Sequence, residues 1–320
     1  MINYSVRLAG LILIAALFNA CGTETIDEDP DHGKVKVLLS KAPQFNEDSA
    51  YFFIERQVGF GPRVPLTKPH EQCHLFLDSM MRAYGFEIFP NKGTVIGYDG
   101  KRIPLKNIVA SFRPELKKRI LLAAHWDTRP MADRDTENKD KPIEGANDGA
   151  SGVAVLLEIA RNIQKKPLTN IGIDIIFFDM EDYGTVYCQG SEWWSKYPHK
   201  QNYTASYGIL LDMVGAKGAT FPVEGNSKRY AAHVIQKVWG TAEKLGYGSF
   251  FVRNEVQAIT DDHYNMNVFA GIPTIDIVHM DPSTSDFGPF HHRHADNLSI
   301  IDKKTLKAVG QTVMEVIYSE

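Results

Sequence analysis

From about residue 40 onward the chain alternates amphipathic stretches with short apolar runs, and no segment repeats. Residues 46–58 carry a helical pattern that stops at Gly59-Phe60-Gly61-Pro62-Arg63, where two glycines and a proline break it. A second helix is predicted after Pro69. It would bury Cys73, Phe76, Leu77, Met80, Met81 and Tyr84, which recur at spacings of three and four. Two β-like segments come next, residues 86–97 and 103–113. Four apolar runs then follow, at residues 119–124, 171–178, 207–211 and 272–278. Without alternation they predict strands covered on both faces. Helices bearing Val153, Leu156, Leu157, Ala160 and Ile163, and then spanning residues 230–245, supply the cover. The fold class is α/β. One domain, residues 41–320, is expected to hold a central, mainly parallel mixed sheet with helices on both faces.

In such sheets ligands gather beyond the carboxyl ends of the strands, so the residue after each run is a candidate. His125-Trp126-Asp127 follows the first run, and Asn147-Asp148-Gly149 opens the next helix. The second run ends in Asp179-Met180-Glu181-Asp182, the third in Asp212, and later loops hold Thr260-Asp261-Asp262-His263 and His291-His292-Arg293-His294. Taken singly, each is an ordinary turn or cap residue; Asp148 could simply cap the helix that opens at Ser151. Together they deliver carboxylates and imidazoles to one rim. That donor mixture, without thiolate, suits zinc in a catalytic site with three protein ligands and one open position. Glu181 and Asp182 are adjacent at a strand end, so one can bind metal while the other stays free as a base.

The amino end changes the picture of location. Arg7 precedes an almost wholly apolar stretch at residues 8–17, and Ala20-Cys21-Gly22 follows, as in a bacterial lipoprotein signal. Residues 1–21 are read as that signal, with Cys21 lipidated, and the acidic residues 22–40 as a solvated tether. An exported, membrane-anchored protein facing the periplasm or cell surface is expected. Only Cys73 and Cys188 remain after processing. Each lies in an apolar setting and is given no chemistry. The 35 basic residues are scattered among 39 acidic ones without a basic block, which excludes an evident nucleic-acid footprint.

Six segments carry a resemblance covering roughly residues 45–320: Phe60-Gly61-Pro62-Arg63, His125-Trp126-Asp127-Thr128, Asn147-Asp148-Gly149-Ala150-Ser151-Gly152, Phe177-Phe178-Asp179-Met180-Glu181-Asp182, Leu211-Asp212-Met213-Val214-Gly215-Ala216 and Asp261-Asp262-His263. In their order and spacing the sequence resembles the zinc-dependent glutaminyl-peptide cyclotransferases, relatives of the di-zinc aminopeptidases. The resemblance implies one zinc on Asp148, Asp182 and His292. His292 is preferred to His291 and His294 because the family's ligand His is followed four residues later by an Asp, here Asp296. Animal members have Glu at the position of Asp182, so this chain looks like the bacterial branch. Glu181 maps to the general acid/base, with Asp212 and Asp261 as hydrogen-bonded acidic partners. The implied substrates are peptides or proteins with amino-terminal Gln, converted to pyroglutamyl products with release of ammonia.

Other readings stay open. In a di-zinc aminopeptidase, Asp148 would bridge, His125 and Asp212 would complete a second site, and Glu181 would activate water. A non-catalytic peptide-binding lipoprotein is disfavoured, because no ligand or base position holds an inert residue. His70-Glu71-Gln72-Cys73-His74 literally matches a zincin helix, but it lies on a core helix just after Pro69 with no third ligand of zincin type downstream; surface-edge residues are the preferred reading. Among the aromatics near the rim, Trp126, Tyr183, Tyr187, Phe290 and in particular Trp193 and Trp194 are candidates to wall a site for the flat Gln side chain.

Overall fold

The computed structural model describes residues 42–320; the residues read as a signal ending at Cys21 and as an acidic tether lie outside the described residues. The first helix, α1 (Glu47–Val58), is capped by Asn46, whose side chain accepts from the Ser49 amide at 2.9 Å. Helix α2 (Lys68–Ala83) is capped by Thr67 and carries Pro69 in its first turn. The two β-like segments divide into four strands: β1 (Glu87–Phe89), β2 (Thr94–Ile96), β3 (Arg102–Pro104) and β4 (Ile108–Phe112). Strands β2 and β3 make a separate antiparallel pair, while β1 and β4 join the central sheet.

The remaining elements are β5 (Arg119–His125), α3 (Ala150–Lys165), β6 (Gly172–Phe178), a small hairpin of β7 (Asp182–Tyr183) and β8 (Val186–Tyr187), α4 (Gln189–Lys196), β9 (Tyr207–Asp212), β10 (Phe221–Val223), α5 (Gly225–Lys244), β11 (Phe251–Glu255), α6 (Asp262–Val268), β12 (Thr274–Val278) and α7 (Lys303–Tyr318). The sheet runs β1-β4-β6-β5-β9-β12. Strands β6, β5, β9 and β12 are mutually parallel, and β4 and β1 add antiparallel at one edge. The sheet is therefore mixed and mainly parallel.

Every residue of β5, β6, β9 and β12 is buried, which explains why their runs are largely apolar and lack polar alternation. Successive side chains still point to opposite faces. Ile120, Leu122 and Ala124 join the larger core with α1, α3, α5 and α7, while Leu121 and Ala123 join a smaller one with Trp194 and Met266. The closing helix α7 completes the larger layer, with Val309, Val313 and Ile317 fully buried. Register aligns the strand ends: His125 lies opposite Phe178, and Asp212 opposite Val278. That alignment brings side chains distant in sequence to one rim.

The opposite end of the sheet holds a charge that the apolar run at residues 171–178 conceals. Asp174, within β6 and fully buried, accepts from Arg119 Nε at 2.6 Å and Nη2 at 2.7 Å, from Tyr203 Oη at 2.6 Å, and from Ser111 Oγ. Arg119 also donates to the Arg113 and Leu116 carbonyls, so both partners of the buried pair are saturated. Asp174→Ala leaves the guanidinium without its carboxylate. It should lower stability by about 3–5 kcal/mol, read as a reduced urea midpoint.

Candidate active site

Two loops of the rim are held by buried polar groups. Beyond β5, the Asp127 carboxylate accepts the Glu181 amide at 3.1 Å on one oxygen and the Asp182 amide at 3.2 Å on the other. Asp296 does the same for the loop before α3, accepting the amides of Asn147 at 2.7 Å and Asp148 at 3.0 Å. Fully buried Arg63 donates to the Glu144, Gly145 and Trp126 carbonyls and so ties that loop to the end of β5. At the strand ends Met180 and Met213 adopt left-handed backbone, with φ of 59° and 49°, and His292 has φ of 57°. These reversals turn the flanking side chains into the rim.

Asp148 is not a helix cap: Gly149 occupies the cap position of α3, without a side-chain hydrogen bond. The Asp148 carboxylate instead faces two imidazoles, with Oδ1 3.1 Å from His125 Nε2 and Oδ2 3.9 Å from His292 Nε2. His292 Nε2 also lies 3.5 Å from Asp182 Oδ2, a buried oxygen with no hydrogen-bond partner. Asp148, Asp182 and His292 thus face one another. His291 packs against His292 with ring centroids 3.6 Å apart, and with Asp148 and His292 it forms a group of donors within 4.8 Å of one another. His294 stands apart, beside Asp135.

His125 Nε2 sits between Asp148 and Asp212, 3.2 Å from Asp212 Oδ1, and these three form a second group within 4.8 Å. Glu181, Asp212 and Asp261 line a cavity of about 410 Å³ with Asp148, His291 and His292. Tyr187, Met213, Ile259 and Phe287 supply its apolar wall.

The electrostatics divide these groups. Burial would lower the His125 pKa, but Asp127, Asp148, Asp212 and Glu181 raise it well above its ordinary value. Asp148 is buried too, yet the His125 hydrogen bond and the neighbouring imidazoles depress it. Burial pushes Glu181 well up, helped by Asp261 and Asp182 and opposed by His125. It likewise raises Asp182, beside Asp148, and takes Asp212 to about 7. His292 is held down to about 4 and His291 to about 3, mainly by burial, so both rings are neutral and able to ligate a metal.

Several supporting residues carry no motif of their own. Arg129 donates to Asp182 Oδ1, grips Asp133 at 2.7 and 2.9 Å, and lies 5.5 Å from the Tyr187 ring centre. Its position four residues after His125 gave a signal only of proximity in sequence. Behind Asp261, the buried Asp276 carboxyl is pushed up by burial and by Asp261 itself. His263 lies between Asp276 and Glu224, 3.7 Å from the first and 3.0 Å from the second.

The zincin-like helix takes a structural part. His70 is buried rather than at a surface edge: it stacks on Trp126 at 4.2 Å and meets Asp179 Oδ1 at 2.8 Å. Asp179 anchors the segment leading to Glu181, so the resemblance to a metal helix reflects a prop under the rim. None of the candidate metal groups among the described residues includes His70 or His74. Cys73 and Cys188 are both free and buried.

The structure does not bring Trp193 or Trp194 to the cavity. Trp194 is fully buried against Phe178 and Tyr203 in the smaller core, because the turn of α4 directs it inward. Trp193 packs on Gly93 and Tyr197. The aromatic rings at the cavity are Tyr187 and Phe287, the second absent from the candidates named by sequence.

Residues 107–317 match Peptidase family M28. A glutaminyl cyclase of Bacteroides thetaiotaomicron, solved with N-acetylhistamine bound, is 50% identical; the match covers 87% of this chain and 99% of that one, with a TM-score of 0.85. A Zn-dependent exopeptidase of Parabacteroides distasonis is 48% identical, over 87% of this chain and 100% of the other, also at 0.85. The aminopeptidase YwaD of Bacillus subtilis is 27% identical over 67% of this chain, and the match spans less than half of that enzyme, 44% of its length. With this sheet, this rim of acids and imidazoles and the family match over most of the described residues, the chain belongs to peptidase family M28.

Proposed function

We propose that the protein is a zinc-dependent glutaminyl-peptide cyclotransferase, which closes an amino-terminal glutaminyl residue of a peptide or protein to pyroglutamate and releases ammonia. The observation that carries this reading is the 50% identity to a glutaminyl cyclase across 99% of that chain. Asp148, Asp182 and His292 would hold the zinc. The fit is chemical: oxygen and nitrogen donors, a neutral His292 ring, and a buried Asp182 oxygen that lacks any other partner. When bound, the ion supplies a Lewis acid for the γ-carbonyl of the substrate.

The chain's own groups do the rest. Glu181 reaches the cavity with a raised pKa, so it can take a proton from the substrate's α-ammonium and return it to the departing nitrogen. Asp212 and Asp261 line the same space and present acceptors to that ammonium. Because nucleophile and electrophile belong to one residue, the cavity has to hold the glutaminyl side chain coiled on its own amine and keep water out, which its apolar wall of Tyr187, Met213, Ile259 and Phe287 serves.

A di-zinc aminopeptidase is the second reading, favoured by the His125, Asp148 and Asp212 donor group and by the exopeptidase neighbour. The two part on product. Incubated with Gln-initiated and Leu-initiated peptides, a cyclase releases ammonia from the first and no free amino acid from either, with one zinc per chain; release of amino acids with two zinc ions reverses the assignment. Glu181→Gln should cut kcat about 10²–10⁴-fold while zinc content is retained.

Arg129 bears on the metal without touching it. By engaging Asp182 Oδ1, it leaves Oδ2 free toward His292 and fixes the shorter aspartate arm in place. Arg129→Met should weaken zinc binding about 10–100-fold, measured by competition with a chromogenic chelator.

A further inference from the structure

We infer that Cys188 is a positioning residue for the Glu181 carboxylate, holding Oε1 so that the group keeps a fixed orientation in the cavity it lines. The inference rests on the acid/base role proposed for Glu181. Cys188 Sγ donates to Glu181 Oε1 at 3.3 Å, while Oε2 points toward His125 Nδ1 at 3.9 Å. The thiol is 2% exposed, and burial together with the Glu181 charge pushes its pKa well up, so the sulfur keeps its proton and remains a donor.

The backbone around this thiol is pinned from both sides. The Cys188 amide donates to the Glu181 carbonyl at 2.8 Å, and the Gln189 amide to the Met180 carbonyl at 3.0 Å, tying the start of α4 to the strand end that carries the acid. The Cys188 carbonyl accepts from Ser191 Oγ and Asn265 Nδ2, each at 3.0 Å. Cys188 itself lies in the left-handed region, with φ of 55°. The sulfur therefore has a fixed place from which to approach the carboxylate.

The need for such a donor follows from the surroundings. Asp261 offers an oxygen within 4.8 Å of the ligand atoms of Glu181 and Cys188. With no partner on Oε1 the Glu181 carboxylate would be free to change rotamer and carry its proton-transfer oxygen out of line. A weak S–H donor answers this. It orients the carboxylate without competing strongly for the charge that must accept a proton.

The test compares wild type, Cys188→Ala and Cys188→Ser for ammonia release from a Gln-initiated peptide, with zinc content and thermal midpoint on the same samples. Serine keeps an O–H donor, and alanine removes it. Cys188→Ala should lower kcat about 10-fold with KM within about 2-fold, and Cys188→Ser should recover most of the rate. Zinc content should be equal in all three. Alanine with the wild-type kcat, or equal loss in both variants, overturns the inference, the second because it assigns the effect to packing. A wild type that releases no ammonia overturns the proposed function and with it this inference, and it does so before any variant is compared.

Discussion

The structure depends on keeping a crowd of buried acids compatible with folding. Asp148, Glu181, Asp182 and Asp212 share one rim at the ends of parallel strands, where low dielectric strengthens their mutual repulsion. Three devices offset it. His125 stands between Asp148 and Asp212, Arg129 takes one side of Asp182, and backbone amides go to the supporting acids Asp127 and Asp296. What is left uncompensated is the oxygen of Asp182 that faces His292. A divalent cation there would complete the charge balance that the protein leaves open.

Much of the architecture was legible because a strand covered on both faces has to be apolar along its length. The runs at residues 119–124 and 207–211 need no tertiary information to be read. Where the fold escaped, a nonlocal partner decided. Asp174 interrupts an apolar run and is tolerated only because Arg119 and Tyr203 meet it inside. The segment at residues 86–97 divides between the main sheet and a hairpin, a choice made by pairing with β4 and β3 respectively. Helix α7 carries an apolar face of its own but has no flanking motif, and its place is set only by packing against α1, α3 and α5.

At the rim, residue types and strand-end positions gathered the acids and imidazoles, the family resemblance singled out Asp148, Asp182 and His292 among them, and these three face one another. Direction was harder to read than position. Trp193 and Trp194 lie on a short helix whose rotation is set by packing against Phe178 and Gly93, and neither points at the cavity. Arg129 and Cys188 have no spacing signature, because each acts on a residue brought near only by folding. His70 illustrates the converse: a spacing that matches a metal helix is here satisfied by stacking and a carboxylate.

The Asp127 clamp has a wider consequence. Since a single carboxylate secures the amides of Glu181 and Asp182 together, the backbone of these two neighbours is held as a unit, whatever lines the far side of the cavity. Residues such as Ile259 and Phe287, which contact neither Asp127 nor Arg129, can then be exchanged during divergence without moving that pair. A scaffold of this kind can pass from one nucleophile to another by altering what the cavity admits, which accounts physically for solved neighbours of nearly equal similarity described as a cyclase and as an exopeptidase.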